Sequence, residues 1–247
     1  MESPLRSGPR LDAATSDGAF LGFEKRGDEV PVGPATTVPL GVIPPRRSWV
    51  CNVQRLVDII LAIFFLLFFL PFYLLIALAI KFDSPGPVLF IQARVGRDGV
   101  EFPFFKFRSM IADAEARRQA LEAQNERSGP VFKMKDDPRI TRVGRWLRKC
   151  SLDELPQLLN VLRGEMSLVG PRPALPREVA EYTLRQRQRL LVTPGLTGLW
   201  QVSGRASLSF EESIELDLLY IQHQSLWLNF IILLRTIPAV LKGDGAY

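Results

Sequence analysis

The chain has 247 residues, 47% of them hydrophobic, and a net charge of +5 from 31 Lys and Arg against 26 Asp and Glu. That length allows one substantial domain with extensions, and the basic balance suits phosphorylated substrates, an anionic membrane surface or nucleic acid. Two cysteines without CxxC spacing argue against a disulfide framework or zinc site, the single His223 argues against a Ser-His-Asp hydrolase, and neither a Walker A loop nor a GxGxxG run is present.

Residues 1 to about 45 are rich in Gly, Pro, Ser and Asp. They show no periodicity, lack the short apolar core of a secretory signal peptide, and read as a disordered tail. The stretch from Leu56 to Ile80 is apolar, with Asp58 its only charge. As one straight helix it would be about 38 Å long, enough to cross a hydrocarbon core of about 30 Å. Pro71 divides it into pieces of roughly 15 and 10 residues, neither long enough to span. Arg46, Arg47 and Arg55 precede the run and Lys81, Arg94 and Arg97 follow it. Equal basic flanks give no crossing direction. They suit a segment that enters and leaves on one side, while a kinked spanning helix remains the alternative.

Asp83 to Pro87 is a turn. Val88 to Arg94 and Phe102 to Phe107 read as strands joined through Arg97-Asp98-Gly99. Residues about 110 to 125 read as a polar helix. Thr141 is placed to cap a helix over about 142 to 149, with Val143 and Leu147 on one face. Trp146 beside Arg142 and Arg145 suits a membrane interface. A solvated basic face with Trp146 in the core is the competing reading.

Asp153 and Glu154 follow in the run Lys149 to Gln157, with Arg145, Arg148 and Lys149 before them and Arg163 and Arg172 after. A carboxylate pair among cations suits chemistry on a phosphate: one acid attacks phosphorus or holds a metal, and the cations hold the phosphate oxygens. Ser151-x-x-Glu154 also matches a capping box. Pro156 would be the fifth helical residue in that arrangement, which weakens it; with Asp153 as the N-cap, Pro156 falls within the first turn, where it is tolerated. In either case Asp153 sits at the positive end of a helix, which favours its ionised form. Leu155 to Leu162 continues the helix to Arg163-Gly164, and Pro171-Arg172-Pro173 is a rigid turn that directs Arg172. A helix is expected over about 176 to 191, a loop over 194 to 198, helical spacing from Phe210 to Ile221, and an interfacial or core helix over Leu226 to Val240.

The runs Ser151 to Gln157 and Met166 to Pro173 resemble those of the bacterial sugar transferase family, the monotopic phosphoglycosyl transferases. Lys106-Phe107-Arg108-Ser109-Met110 and Asp83 to Pro87 are similar to two further family motifs, and the resemblance covers about residues 52 to 247. It implies an α+β, mostly helical monotopic membrane protein with a re-entrant membrane helix, interfacial amphipathic helices and a small β-hairpin. The implied division is a tail over 1–47, the re-entrant helix over 48–83, and a membrane-associated catalytic domain over 84–247 on the cytoplasmic face of the bacterial inner membrane. The bend falls at Leu70-Pro71, where the family usually has Ser-Pro, so carbonyls freed there lose a local partner.

The resemblance further implies transfer of hexose 1-phosphate from a UDP-sugar to undecaprenyl phosphate, with Mg²⁺. Asp153 matches the nucleophile and Glu154 its metal-binding partner, with Asp153 also available to the metal. Arg148, Arg172 and Arg108 are the implied phosphate contacts. The stretch Pro194 to Arg205 and the ending Gly245-Ala246-Tyr247 resemble enzymes that begin exopolysaccharide or capsule synthesis, typically with glucose or galactose 1-phosphate. Asp217, Arg205 and Thr197 are offered as donor contacts. A helix-surface charge is the other reading of Asp217, and a structural loop or homodimer contact the other readings of the 194–205 stretch. No nucleic-acid partner is expected. The alternative from another class is a non-catalytic, membrane-anchored basic module that binds polyanions or acidic lipid, a function to which a central pair of carboxylates adds nothing.

Overall fold

The structure, a computed structural model, describes residues 48–121, 125, 132, 134 and 136–242. The tail over 1–47, the far end of the helix expected over 110–125, and the Gly245-Ala246-Tyr247 ending lie outside the described residues. The fold is mostly helical with two small two-stranded sheets.

The apolar run forms two helices, α1 (Ser48–Phe68) and α2 (Leu70–Asp83), with Pro71 in the first turn of α2. The break falls at Phe69, two residues before the proline. Pro71 has no N–H to give to the preceding turn, and Phe72 N–H bonds the Phe69 carbonyl instead. The break therefore comes where expected, but the first piece is longer. At 21 residues α1 measures about 31 Å, and Trp49–Phe68 is long and apolar enough to cross a membrane. The expectation that neither piece suffices is corrected on this point. It began the helix at Leu56, whereas residues from Ser48 onward join it.

The polarity of α1 is inside out. Gln54, Asp58 and Ala62, one turn apart, are buried, while Leu56, Ile60, Ile63, Phe64, Leu67 and Phe68 are exposed. Both helices are fastened to the rest of the protein. From α1, Arg55 donates to the carbonyls of Val161 and Leu162, the latter at 2.7 Å. From α2, Tyr73 Oη donates to Leu155 O at 3.0 Å, and Asp83 Oδ2 accepts from Val143 N–H at 3.0 Å. Ile76 and Ile80 join Phe107 and Leu147 in a core cluster, flanked by Tyr73, Val143, Leu152 and Leu155.

Strands β1 (Leu89–Val95) and β2 (Glu101–Phe107) pair antiparallel from Leu89↔Phe107 to Val95↔Glu101. The chain reverses through Asp98 and Gly99, both at positive φ. Helix α3 (Ala114–Leu121) is the described part of the polar helix. Helix α4 (Arg142–Lys149) has Thr141 as N-cap, its side chain accepting from Gly144 N–H at 3.0 Å. Leu147 is fully buried and Trp146 is 56% exposed, so Trp146 is not a core residue.

A six-residue 3₁₀ turn, Leu152–Gln157, runs into α5 (Leu158–Arg163), which ends at Gly164 in the left-handed conformation that glycine adopts freely. Strand β3 (Ser167–Val169) pairs parallel with β4 (Gly195–Thr197), so the segment read as a loop contains a strand. The two strands meet so closely that a Cβ on Gly195 would lie 2.0 Å from Gly170 N. The helix expected over 176–191 is broken into α6 (Pro176–Ala180), α7 (Leu184–Arg187) and a 3₁₀ turn over Gln188–Leu191. Thr183 starts α7 afresh, capping Gln186 N–H and receiving the Gln186 side chain on its own N–H. Helices α8 (Leu199–Ser203), α9 (Phe210–His223) and α10 (Leu226–Lys242) complete the chain.

Candidate active site

The acid pair sits in the 3₁₀ turn, which the chain enters through Ser151 at φ 54°. The Ser151 side chain makes no capping bond, so the capping-box reading is not realised. Instead, Arg172 Nη1 donates to Glu154 Oε1 at 2.9 Å. Asp153 is 6% exposed. Leu152 and Leu155 on either side pack against the core cluster, which holds the acids at the cavity surface.

Four cations from four elements converge on the pair: Arg94 from β1, Lys106 from β2, Arg148 from the last turn of α4, and Arg172 from the turn after β3. Burial and then Glu154 push the Asp153 carboxyl above the ordinary range, against Lys106, Arg148 and Arg172. The helix end alone therefore does not secure its ionised form, contrary to expectation. Glu154 also feels burial, but Arg172 and Lys106 outweigh it and hold its carboxyl low. Lys106 is pushed down to about 8 by desolvation, despite the pull of Asp153. The Arg172 guanidinium is held charged by Glu154. The site thus treats the two acids differently: Arg172 and Lys106 hold the Glu154 carboxyl low, while burial and Glu154 raise that of Asp153.

The turn bearing Arg172 is fixed by other buried guanidiniums. Arg94 Nη1 donates to Pro173 O at 3.1 Å, and its guanidinium lies 5.2 Å from the centre of the Phe104 ring. Arg189 Nη2 donates to Arg172 O at 3.1 Å while paired to Asp217, and Arg189 Nη1 donates to Tyr182 Oη at 2.8 Å. These positioning contacts are not visible in the spacing of the motifs.

The acids and three of the cations (Lys106, Arg148 and Arg172) open into a cavity of about 700 Å³. Its other walls are apolar side chains of α1 (Leu61, Phe65) and α10 (Leu233, Ile237, Val240, Leu241), with Phe69 between α1 and α2. Trp200, Gln201, Arg205 and Thr197 line a further side. The lining combines charged groups that can bind a phosphate with apolar walls that can hold a hydrocarbon chain.

The structure brings Asp153, Glu154, Arg148, Arg172, Arg205 and Thr197 to this cavity. Thr197 Oγ1 lies 2.8 Å from Thr236 Oγ1, whose own hydrogen goes to Ile232 O, so Thr197 donates to Thr236. Arg108 and Asp217 are not among the lining residues. Arg108 is buried and donates to the Ser84 and Pro85 carbonyls at 2.7 and 2.6 Å, fastening the end of α2. Asp217 is 1% exposed and ion-paired with Arg189, so it is not a surface charge. Lys106 opens the Lys106–Met110 motif, which by itself gives it no role; it stands on β2 opposite Phe90 and lines the cavity with Asp153, whose charge acts on it.

Among the described residues no three His, Cys, Asp or Glu side chains gather to cage a metal. Asp153 and Glu154 both line the cavity, and Mg²⁺ is commonly held by one or two carboxylates while substrate phosphates and waters complete its shell.

The bacterial sugar transferase family model matches residues 49–243. The chain is 46% identical over 194 residues to the galactosyl transferase CpsE of Streptococcus agalactiae, covering 78% of this chain and 43% of that protein. It is 41% identical over 198 residues to the exopolysaccharide production protein ExoY of Sinorhizobium fredii, covering 78% and 88% respectively. It is 42% identical over 236 residues to the UDP-glucose:undecaprenyl-phosphate glucose-1-phosphate transferase of Caulobacter vibrioides, covering 88% and 81%. The chain thus spans less than half the length of some of these relatives and most of others.

Proposed function

Because the chain belongs to the bacterial sugar transferase family, we propose that it transfers a hexose 1-phosphate from a UDP-sugar to undecaprenyl phosphate, as the first membrane step of exopolysaccharide or capsule synthesis. The observation that carries this reading is the cavity, which brings an acid pair and Lys106, Arg148 and Arg172 together with apolar walls from α1 and α10. A lipid phosphate needs both parts. Names of relatives include a galactose and a glucose phosphotransferase acting on undecaprenyl phosphate, so glucose and galactose are the hexoses proposed.

In the mechanism we propose, an Asp153 oxygen attacks the phosphorus next to the sugar. The bond from that phosphorus to UMP breaks, and UMP leaves with the electron pair. A phosphate oxygen of undecaprenyl phosphate then attacks the same phosphorus, the aspartyl–phosphorus bond breaks, and the carboxylate is regenerated. Arg148, Arg172 and Lys106 neutralise the diphosphate oxygens, and planar arginine donors suit that task. Glu154, with Asp153, would hold Mg²⁺, which when bound reduces the repulsion between an anionic nucleophile and a diphosphate. Thr197 and Arg205, which line the same cavity, remain the donor-side candidates. Asp217 acts at a distance through Arg189 and the Arg172 carbonyl.

The reading places the catalytic domain on the cytoplasmic face of the inner membrane, with α1 and α2 dipping into one leaflet. Its support is the outward apolar face of both helices and their attachment to the same body at Asp58 and at Tyr73. From Asp58 to the break at Phe69 the chain rises about 16 Å, and from there to Tyr73 about 6 Å, each well short of a hydrocarbon core of about 30 Å.

The test is UMP release from UDP-glucose and UDP-galactose with polyprenyl phosphate and Mg²⁺. Release that requires the lipid for multiple turnover supports the assignment. A protein that retains polyanions on its surface but releases no UMP from a panel of UDP-sugars is the basic binding module instead.

A further inference from the structure

Asp58 is the one acidic residue in an otherwise apolar membrane run, yet it is 5% exposed and turned away from the lipid-facing side of α1. An ionisable group in such a segment is costly unless it is bonded, and it marks a functional constraint by default. Here both carboxylate oxygens are used. Oδ2 accepts from Ser167 Oγ at 2.7 Å, and Oδ1 accepts from Leu168 N–H at 3.1 Å. Gln54 Nε2, one turn earlier, donates to the same Ser167 Oγ at 2.8 Å.

The strand they hold is β3, and it leads through Gly170 and Pro171 to Arg172. The neighbouring Arg55 holds the last carbonyls of α5, the helix that follows directly from the Asp153–Glu154 turn. One short face of α1 therefore grips the segment after the acids and the segment before the arginine that binds Glu154. A leucine at position 58 would suffice to anchor a helix in lipid. A carboxylate that bonds a side-chain hydroxyl and the next backbone amide fixes the start of a strand.

We propose that Asp58 is a positioning residue for the phosphate site: docked on β3, it sets the place of the Pro171-Arg172-Pro173 turn, so that the membrane helix is part of the active-site framework as well as an anchor. This rests on the transferase reading for its kinetic arm alone. The chemistry distinguishes substitutions at this position. An asparagine keeps the Oδ1 acceptor for Leu168 N–H, and its NH₂ meets a Ser167 hydroxyl that already accepts from Gln54. An alanine keeps neither bond. Ser167→Ala removes the bonds of that hydroxyl to Asp58 and Gln54 at a buried small side chain and leaves the bond from Leu168 N–H to Asp58.

The full chain in lipid nanodiscs is compared as wild type, Asp58→Ala, Asp58→Asn and Ser167→Ala. Hydrogen exchange of the peptide over residues 166–173 gives a readout independent of turnover. Exchange should rise at least about tenfold in Asp58→Ala and much less in Asp58→Asn, while the β1–β2 hairpin stays unchanged. In UMP release, Asp58→Ala should lose about a hundredfold in kcat with the donor KM within about threefold. Asp58→Asn should recover to within about tenfold of wild type, and Ser167→Ala should fall between. Unchanged exchange over 166–173 in Asp58→Ala overturns the proposal, and so does a loss spread equally over the whole protein. If Asp58→Ala does not fold, Ser167→Ala decides: wild-type exchange in that variant overturns it. Absence of UMP release from the wild type counts against the transferase reading and leaves the exchange result to judge Asp58.

Discussion

Arg172 Nη1 donates to Glu154 Oε1 across 2.9 Å, and this contact closes two loops, 18 residues apart in sequence, onto one another. It keeps Glu154 ionised and leaves Asp153, its immediate neighbour, with the more costly buried charge. In the proposed reaction Arg172 must exchange part of this pairing for a substrate phosphate while Glu154 takes up a metal.

Glu154→Gln should therefore impair turnover strongly, by about a hundredfold or more, because a neutral amide both weakens the hold on a divalent cation and frees Arg172 from its partner. The variant should need more Mg²⁺ for half-maximal rate. Wild-type activity should vanish in chelator and return on adding Mg²⁺. Undiminished turnover in chelator would remove the metal assignment.

Asp153→Asn should abolish turnover, since an amide forms no acyl phosphate. Wild-type protein incubated with a sugar nucleotide labelled in the sugar-linked phosphate should acquire label without any lipid acceptor, and lose it when polyprenyl phosphate is added. Retention of wild-type rates by the Asn variant would transfer the nucleophile role to another group.

Lys106 provides the pH test. Its ammonium is pushed down to about 8, first by desolvation. As pH rises through that value the free enzyme loses a positive charge facing Asp153, so kcat/KM, which reports free-enzyme ionisations, should fall on the alkaline side. Lys106→Arg should move that limb to higher pH, because a guanidinium stays protonated. Lys106→Met should lower kcat/KM about a hundredfold and abolish the limb. A profile unchanged in Lys106→Arg would mean that another group titrates.

Arg108 is predicted to act on stability. Its guanidinium is spent on Ser84 and Pro85 carbonyls at the end of α2, and hydrogen bonds to a charged donor are worth about 1.5–3 kcal/mol each. Arg108→Ala should lower the thermal midpoint by several degrees while a correctly folded fraction keeps the wild-type KM for the donor. A selective rise in KM without loss of stability would return Arg108 to the phosphate site.

The contrast between Arg108 and Arg172 shows what could be read from the sequence. The helix of α4, its Thr141 cap, the β-hairpin and the break near Pro71 follow from local rules, and all are present. Asp153, Glu154, Arg148 and Arg172 were legible because a short motif or a rigid Pro-Arg-Pro turn places each one. Arg108 and Lys106 lie two residues apart on β2 and just beyond it, so only the register of the hairpin and its packing on α2 decides which of them meets the cavity. The parallel pairing of β3 with β4 and the Arg189–Asp217 clamp depend on contacts across 28 residues. The split of the 176–191 helix depends on Thr183, whose capping box competes with continuation of the helix and prevails.

The last prediction concerns how α1 and α2 meet the bilayer. By length alone α1 can cross it. A crossing would carry one end of the pair to the far side, yet Arg55 and Asp58 bind α5 and β3 while Tyr73 and Asp83 bind the acid turn and α4. These attachments lie on one body, so both ends should be cytoplasmic. With Cys51 and Cys150 replaced by Ser, single cysteines at Ser48 and at Glu101 should resist a membrane-impermeant thiol reagent in intact cells and react once the cells are broken. Labelling of the Ser48 site alone in intact cells would mean that α1 spans. Pro71→Leu restores the missing N–H and favours a continuous helix, but the polar attachments should still hold the hairpin. Adding Asp58→Leu removes a buried carboxylate that resists burial in lipid. In that double variant the Ser48 site should become partly labelled from outside, which would identify the attachment at Asp58, together with the proline break, as the determinant of re-entry.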